Sequence, residues 1–105
     1  MRMTESQAEQ YRRDGYLVFP SLFTPAEIAV LRAETARLSA IEAQTVISEP
    51  TGGVRSIFRV HEADGATRSA AFRALVRTPR VLGPTRQALG TDEVYISHTN
   101  VKRLH

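Results

Sequence analysis

The spacing of apolar residues switches between a helical and an extended period several times along this chain, and each switch marks an element. The opening stretch, 1–10, is polar. Thr4 followed by Gln7 has the capping-box pattern, in which each side chain satisfies a free backbone N–H of the other residue, so a helix is predicted from there to about Arg13. Asp14-Gly15 stops it, because Gly15 can take the left-handed conformation that closes a helix. Tyr16-Leu17-Val18-Phe19 is a short run of β-formers ended by Pro20 and reads as a buried strand. Thr24-Pro25-Ala26-Glu27 then supplies an N-cap, a proline at the first helical position and a capping-box acid. Ile28, Leu31, Thr35 and Leu38 follow on one helical line. Arg37 lies opposite that line and faces water, Arg32 flanks it with its stem along the apolar edge, and the helix fades near Ala40.

The pattern weakens over 41–53, where Glu49-Pro50-Thr51-Gly52-Gly53 is turn chemistry: either a mobile loop or a loop leading into a hairpin. Residues 54–60 read as a strand with Val54, Ser56, Phe58 and Val60 inward and Arg55 and Arg59 outward. A loop covers 62–67. A short helix follows over 70–76, with Phe72, Leu75 and Val76 on one side. Thr78-Pro79 starts another by cap and proline; Val81, Leu82, Thr85 and Leu89 line its inner face, Gly90 ends it, and Gly83-Pro84 kinks or splits it. Residues 93–101 read as a strand, with Val94, Ile96, His98 and Asn100 on one face and Tyr95, Ser97, Thr99 and Val101 on the other. Strands this few, separated by helices, leave sheet edges bare, which points to a larger sheet of which these are a part.

Bulk properties narrow the function classes. The 105 residues are 42% hydrophobic and 24% charged, enough for one modest domain with little surplus stability. No apolar run approaches the roughly 20 residues that span a bilayer, and 1–10 is too polar for a signal peptide. There is no cysteine, which excludes a disulfide scaffold and a thiolate zinc site and fits a cytoplasmic protein. The net charge is +3, nearly all from arginine, since Lys102 is the single lysine. The charges are dispersed and mixed with acids, so the clustered basic stripe that nucleic-acid binding needs is absent.

Candidate chemistry is sparse. The histidines are His61, His98 and His105. His61-Glu62-Ala63-Asp64 is one residue too long for a His-x-Asp metal pair on a strand, so His61 reads as a loop or strand-end residue bonded to backbone. His98, on a strand face, reads as a satisfied buried or half-buried histidine. Ser56, Ser97 and Thr99 lack the glycines of a nucleophile elbow, and Gly52-Gly53 stands outside any phosphate-loop pattern. Arg55, just after those glycines, reads either as a surface arginine or as a bidentate ligand for a substrate carboxylate.

Four segments together resemble the phytanoyl-CoA dioxygenase family, closest to its ectoine and amino-acid hydroxylase branch. They are Gln10-Tyr11-Arg12-Arg13-Asp14-Gly15-Tyr16-Leu17-Val18-Phe19-Pro20 with Leu22-Phe23-Thr24-Pro25-Ala26-Glu27-Ile28; Val54-Arg55-Ser56-Ile57-Phe58-Arg59-Val60-His61; 72–84, from Phe72-Arg73-Ala74 to Leu82-Gly83-Pro84; and Asp92-Glu93-Val94-Tyr95-Ile96. The resemblance implies an α+β architecture, with helices packed on the first strands of an incomplete double-stranded β-helix (jelly roll), and residues 1–105 as a single partial domain. It implies Fe(II), 2-oxoglutarate and oxygen as co-reactants and a small-molecule substrate. The family's His-x-Asp pair, distal His and 2-oxoglutarate-binding Arg would fall after position 105, so no catalytic or metal residue is assigned here. The family often places a His-Gln pair and then Asn or Lys on the strand that here reads Ser97-His98-Thr99-Asn100-Val101-Lys102, reaching 2-oxoglutarate or substrate. The resemblance therefore implies His98, Asn100 and Lys102 as cofactor-binding candidates, with His98 standing where the glutamine often sits; strand parity puts all three on one face. Arg55 is the substrate-binding candidate behind them.

Two functions follow. The first is the N-terminal part of a 2-oxoglutarate-dependent hydroxylase of an amino-acid-like or acyl substrate, inactive by itself and without tight iron binding. The second is a non-catalytic binding or interaction module derived from the same fold, which would fold alone.

Overall fold

The computed structural model describes residues 1–102; His105 lies outside them. Both capping boxes form. In α1 (Glu5–Asp14) the Thr4 hydroxyl accepts the Gln7 N–H at 3.1 Å while Gln7 Oε1 accepts the Thr4 N–H at 2.9 Å. Gly15 closes the helix in the left-handed region at φ 81°. In α2 (Pro25–Ser39) the Glu27 N–H donates to Thr24 Oγ1 at 3.1 Å, and Thr24 N–H donates to Glu27 Oε1 at 2.8 Å. The narrow stripe predicted for α2 is real: Leu38 is wholly buried, and Ile28, Leu31 and Thr35 are half-buried.

The expected strand at 16–19 does not form. The segment has no regular structure; Leu17 and Phe19 are half-buried, but Tyr16 and Val18 stand 63% and 67% exposed. It joins no sheet, so its β-propensity finds no ladder partner among the described residues.

Among the described residues the sheet has three antiparallel strands in the order β1 (Val46–Ser48), β2 (Val54–Phe58), β3 (Asn100–Lys102). Of the two readings for 41–53, the loop into a hairpin is correct. Gly52 takes φ 97° in the turn, where its N–H reaches the Glu49 carbonyl at 2.9 Å. Val46 pairs with Ile57 and Ile47 with Ser56, before an irregularity brings Ser48 opposite Val54.

Strand β2 keeps part of its predicted faces: Ser56 is buried, Val54 packs against the core, and Arg55 and Arg59 are exposed. It departs from them at Ile57, which is in the core with Leu38 and Val60, while Phe58 is half-buried. Val60 joins Ile57 on the same side because Arg59 takes φ 63°, which ends the strand and reverses the alternation. Ile41, Val46, Phe72 and Val101 pack around these three.

Helix α3 (Ala70–Val76) is capped by Ser69, whose hydroxyl accepts the Phe72 N–H at 3.2 Å. Helix α4 (Pro79–Leu89) runs on through Gly83-Pro84 as one element instead of splitting, with Pro84 buried. Thr78 does not cap it; its hydroxyl donates back to the Leu75 carbonyl at 3.2 Å. Gly83 faces the N-terminus so closely that a Cβ there would overlap the Met1 carbonyl oxygen. Leu89, predicted to face inward, is 62% exposed. Helix α2 packs on β2 and on α3, and α3 packs on α4. The radius of gyration is 15.8 Å, against about 13 Å for a compact chain of this length, so a thin core supports an elongated α+β body.

Candidate functional site

The long strand expected over 93–101 shrinks to Asn100–Lys102. Its register explains why: Phe58 pairs with Asn100, Ile57 with Val101 and Ser56 with Lys102. Since Arg59 turns β2 away immediately after Phe58, residues before Asn100 have no strand to pair with among the described residues. The segment 93–99 is left irregular and largely exposed beside α4.

Directly opposed residues of an antiparallel pair share a face. Asn100 and Lys102 therefore stand on the Phe58 and Ser56 side of the sheet, away from Ile57. His98 joins them there: its ring lies 5.5 Å from the Phe58 ring centroid, tilted by 49°. His98 is exposed, not buried, because the strand that would have covered it does not extend that far. Asn100 Oδ1 is buried without a hydrogen-bond partner among the described residues. An unpaired buried acceptor costs about 1–3 kcal/mol, so a donor from outside the described residues is expected at this atom. Lys102 is exposed next to Ser56. Arg55 is also exposed, but alternation along β2 gives it the Ile57 parity, so the structure does not bring it together with the other three.

His98 and Thr99 line a cleft of about 690 Å³ between α4 and the 94–99 segment. Val81, Leu82, Thr85 and Tyr95 supply its mainly apolar wall. The segment is tied at one further point that the sequence did not reveal. His61 Nδ1 and Thr99 Oγ1 are 2.7 Å apart, so the partner of His61 is a side-chain hydroxyl and not backbone. The two residues are 38 positions apart, and no local pattern could have signalled the pair.

Among the described residues no group of three His, Cys, Asp or Glu side chains could hold an ion. Glu62, beside His61, is bonded to the Arg59 guanidinium at 2.9 Å. For an anionic co-substrate the donor chemistry is better: the Lys102 ammonium and the Asn100 amide both suit a carboxylate.

A second polar constellation braces the helices. Arg80 donates to both carboxylate oxygens of Glu27 and to the Leu22 carbonyl, and lies 4.6 Å above the Phe23 ring centroid. These bonds from Arg80, together with the Thr24 N–H, hold the Glu27 carboxyl down at a pKa of about 2.

The family described as "Phytanoyl-CoA dioxygenase (PhyH)" matches residues 11–105. An ectoine dioxygenase of Nocardia farcinica is 39% identical over 100 residues, covering 90% of this chain and 32% of the relative. One from Streptomyces anulatus is 40% identical over 99 residues, covering 88% and 31%. The chain thus spans about a third of the length of the curated relatives it matches. The crystal structure of EctD from S. alaskensis with bound Fe superposes with a TM-score of 0.79 at 32% identity, over 95% of this chain and 35% of that one. The form with 2-oxoglutarate and 5-hydroxyectoine gives 0.75 at 30% identity with the same coverage. With the match running over all but the first ten residues, the chain belongs to the phytanoyl-CoA dioxygenase family.

Proposed function

We propose that this chain forms the helical support and first strands of an Fe(II)- and 2-oxoglutarate-dependent hydroxylase acting on a small molecule such as ectoine. The region is read as a single partial domain carrying the beginning of a jelly roll, in a cytoplasmic enzyme. When bound in the complete protein, iron and 2-oxoglutarate supply the oxidising chemistry; residues 1–102 contribute orientation and not ligation of the metal. His98 would border the substrate cleft, and the Asn100 amide and the Lys102 ammonium would face a carboxylate of 2-oxoglutarate or substrate. Arg55, exposed on the other parity, is the weaker candidate and would serve only a substrate group reaching around the sheet edge.

The observation that carries this reading is the buried, unpartnered Asn100 Oδ1, on the strand residue paired with Phe58, whose ring meets the exposed His98. A folded protein seldom leaves such an acceptor empty. A carboxylate carries no donor, so a substrate N–H or O–H, or a backbone N–H from a neighbouring strand of the full sheet, would complete Oδ1, leaving the Asn100 Nδ2 hydrogens for the carboxylate.

A chimera tests the proposal. Residues 11–105 replace the matching third of S. alaskensis EctD, and ectoine hydroxylation is followed with Fe(II) and 2-oxoglutarate. The expected result is turnover, reduced roughly tenfold or more by His98→Ala or Asn100→Ala, the scale of one lost hydrogen bond of about 1.4 kcal/mol. A folded, iron-loaded chimera that consumes neither 2-oxoglutarate nor ectoine would favour a non-catalytic module on the same fold.

A further inference from the structure

Away from the His98 cleft, three arginines from separate elements meet in one polar cleft. Arg37 comes from the last turn of α2, Arg68 from the loop before α3, and Arg73 from within α3. The cleft has a volume of about 460 Å³, and the small side chains of Ala63, Ala66 and Ala70 leave it open. Like charges brought this close repel, so the arrangement needs compensation.

The nearby acids provide it for Arg37 alone. Glu34 is committed to Arg37 and to the Ser69 hydroxyl, which donates to it at 2.9 Å. That commitment holds the Glu34 carboxyl below the usual carboxylate range, chiefly through Arg37. Glu62, on the cleft wall, is bonded to Arg59 at 2.9 Å. Arg68 spends one N–H on the Gly65 carbonyl at 2.9 Å and forms no ion pair among the described residues. The Arg73 guanidinium has no acceptor among the described residues, although it is only half exposed. Arg37 is also anchored to the position of Arg68, donating to its carbonyl oxygen at 3.4 Å.

We propose that Arg37, Arg68 and Arg73 form a binding site for the phosphate group of a small molecule, separate from the candidate active site. A guanidinium fork matches two phosphate oxygens, and two unpaired forks beside a third anchored one suit a dianion better than a single carboxylate. Arg68 and Arg73 supply the contacts and the uncompensated charge, and Arg37, paired with Glu34, borders the site.

Inorganic phosphate is the probe. The isotope-labelled protein is titrated with sodium phosphate and, in parallel, with sodium chloride at matched ionic strength, while the arginine Nε–Hε NMR signals are followed. The expected result is saturable movement of the Arg68 and Arg73 signals with phosphate alone. Arg68→Gln with Arg73→Gln weakens binding by about tenfold or more. Arg32→Gln, on a different groove of α2, leaves it unchanged, and circular dichroism verifies that each variant is folded. Equal, unsaturable movement in chloride, or full affinity in the folded double variant, would overturn the site. Neither result bears on the chimera assay, so the two proposals stand or fall separately.

Discussion

Arg80 grips Glu27 from 53 positions away, and the carboxylate it grips is the one that caps α2. Start of α2 and start of α4 are therefore joined through one side chain. The pH consequence has a definite sign. The Glu27 carboxyl has a pKa of about 2 in the folded chain against an ordinary 4.5. A lowered acid contributes stability that is fully present above its unfolded value and lost as pH falls through the folded one. Thermal unfolding should therefore show the melting temperature falling between about pH 4.5 and 2. Glu34, also lowered, adds to the same fall. Arg80→Ala should cost a few degrees at neutral pH and make the acid fall shallower. An unchanged acid profile in that variant would contradict the link.

The core rests on few residues, so its response to truncation is sharply uneven. Leu38→Ala, at a wholly buried site, should cost about 2–5 kcal/mol in denaturant unfolding. Leu89→Ala, at an exposed one, should stay within about 0.5 kcal/mol. Similar costs at the two positions would mean that the apolar side of α4 is covered in solution.

Arg59 holds φ 63° and thereby puts Val60 on the core side. A β-branched residue tolerates that conformation poorly, so Arg59→Val should destabilise by about 1–2 kcal/mol. Arg59→Gly should be better tolerated than Arg59→Val. The reverse order, measured by urea unfolding, would show that the strand continues through position 59.

Gly83→Ala sets two effects against each other. Alanine favours the helix by about 1 kcal/mol, but its Cβ would overlap the Met1 carbonyl. The N-terminal residues are the softer partner, so they should lift off α4. Hydrogen exchange should then show the Met3 amide, bonded to Gln87 Oε1 in the structure, losing protection while global stability holds. Retained protection at Met3 would sink this account.

Iron should not bind stoichiometrically to residues 1–105 alone, since the described residues offer no ligand set. Anaerobic Fe(II) titration followed by metal analysis checks it, and one tightly held equivalent per chain would refute it.

The helix termini were readable from the sequence because their determinants are local. Thr4 with Gln7, and Thr24 with Glu27, complete their hydrogen bonds within four residues. The family resemblance was readable for a similar reason, since it lies in contiguous segments in a constant order. What the sequence left open depended on partners far along the chain. Tyr16-Leu17-Val18-Phe19 and the segment 93–99 have the composition of strands, yet a strand exists only where another offers its ladder, and β2 ends at Phe58. The core side of β2 could not be read from alternation, because the backbone at Arg59 reverses it. At the site, the shared side of His98, Asn100 and Lys102 followed from parity. That Phe58 stands against His98, that Asn100 Oδ1 is buried, that His61 holds Thr99, and that Arg55 lies apart were decided by the strand register. Capping is a short-range bond between neighbours, whereas register and burial are settled by which distant surfaces exclude water together.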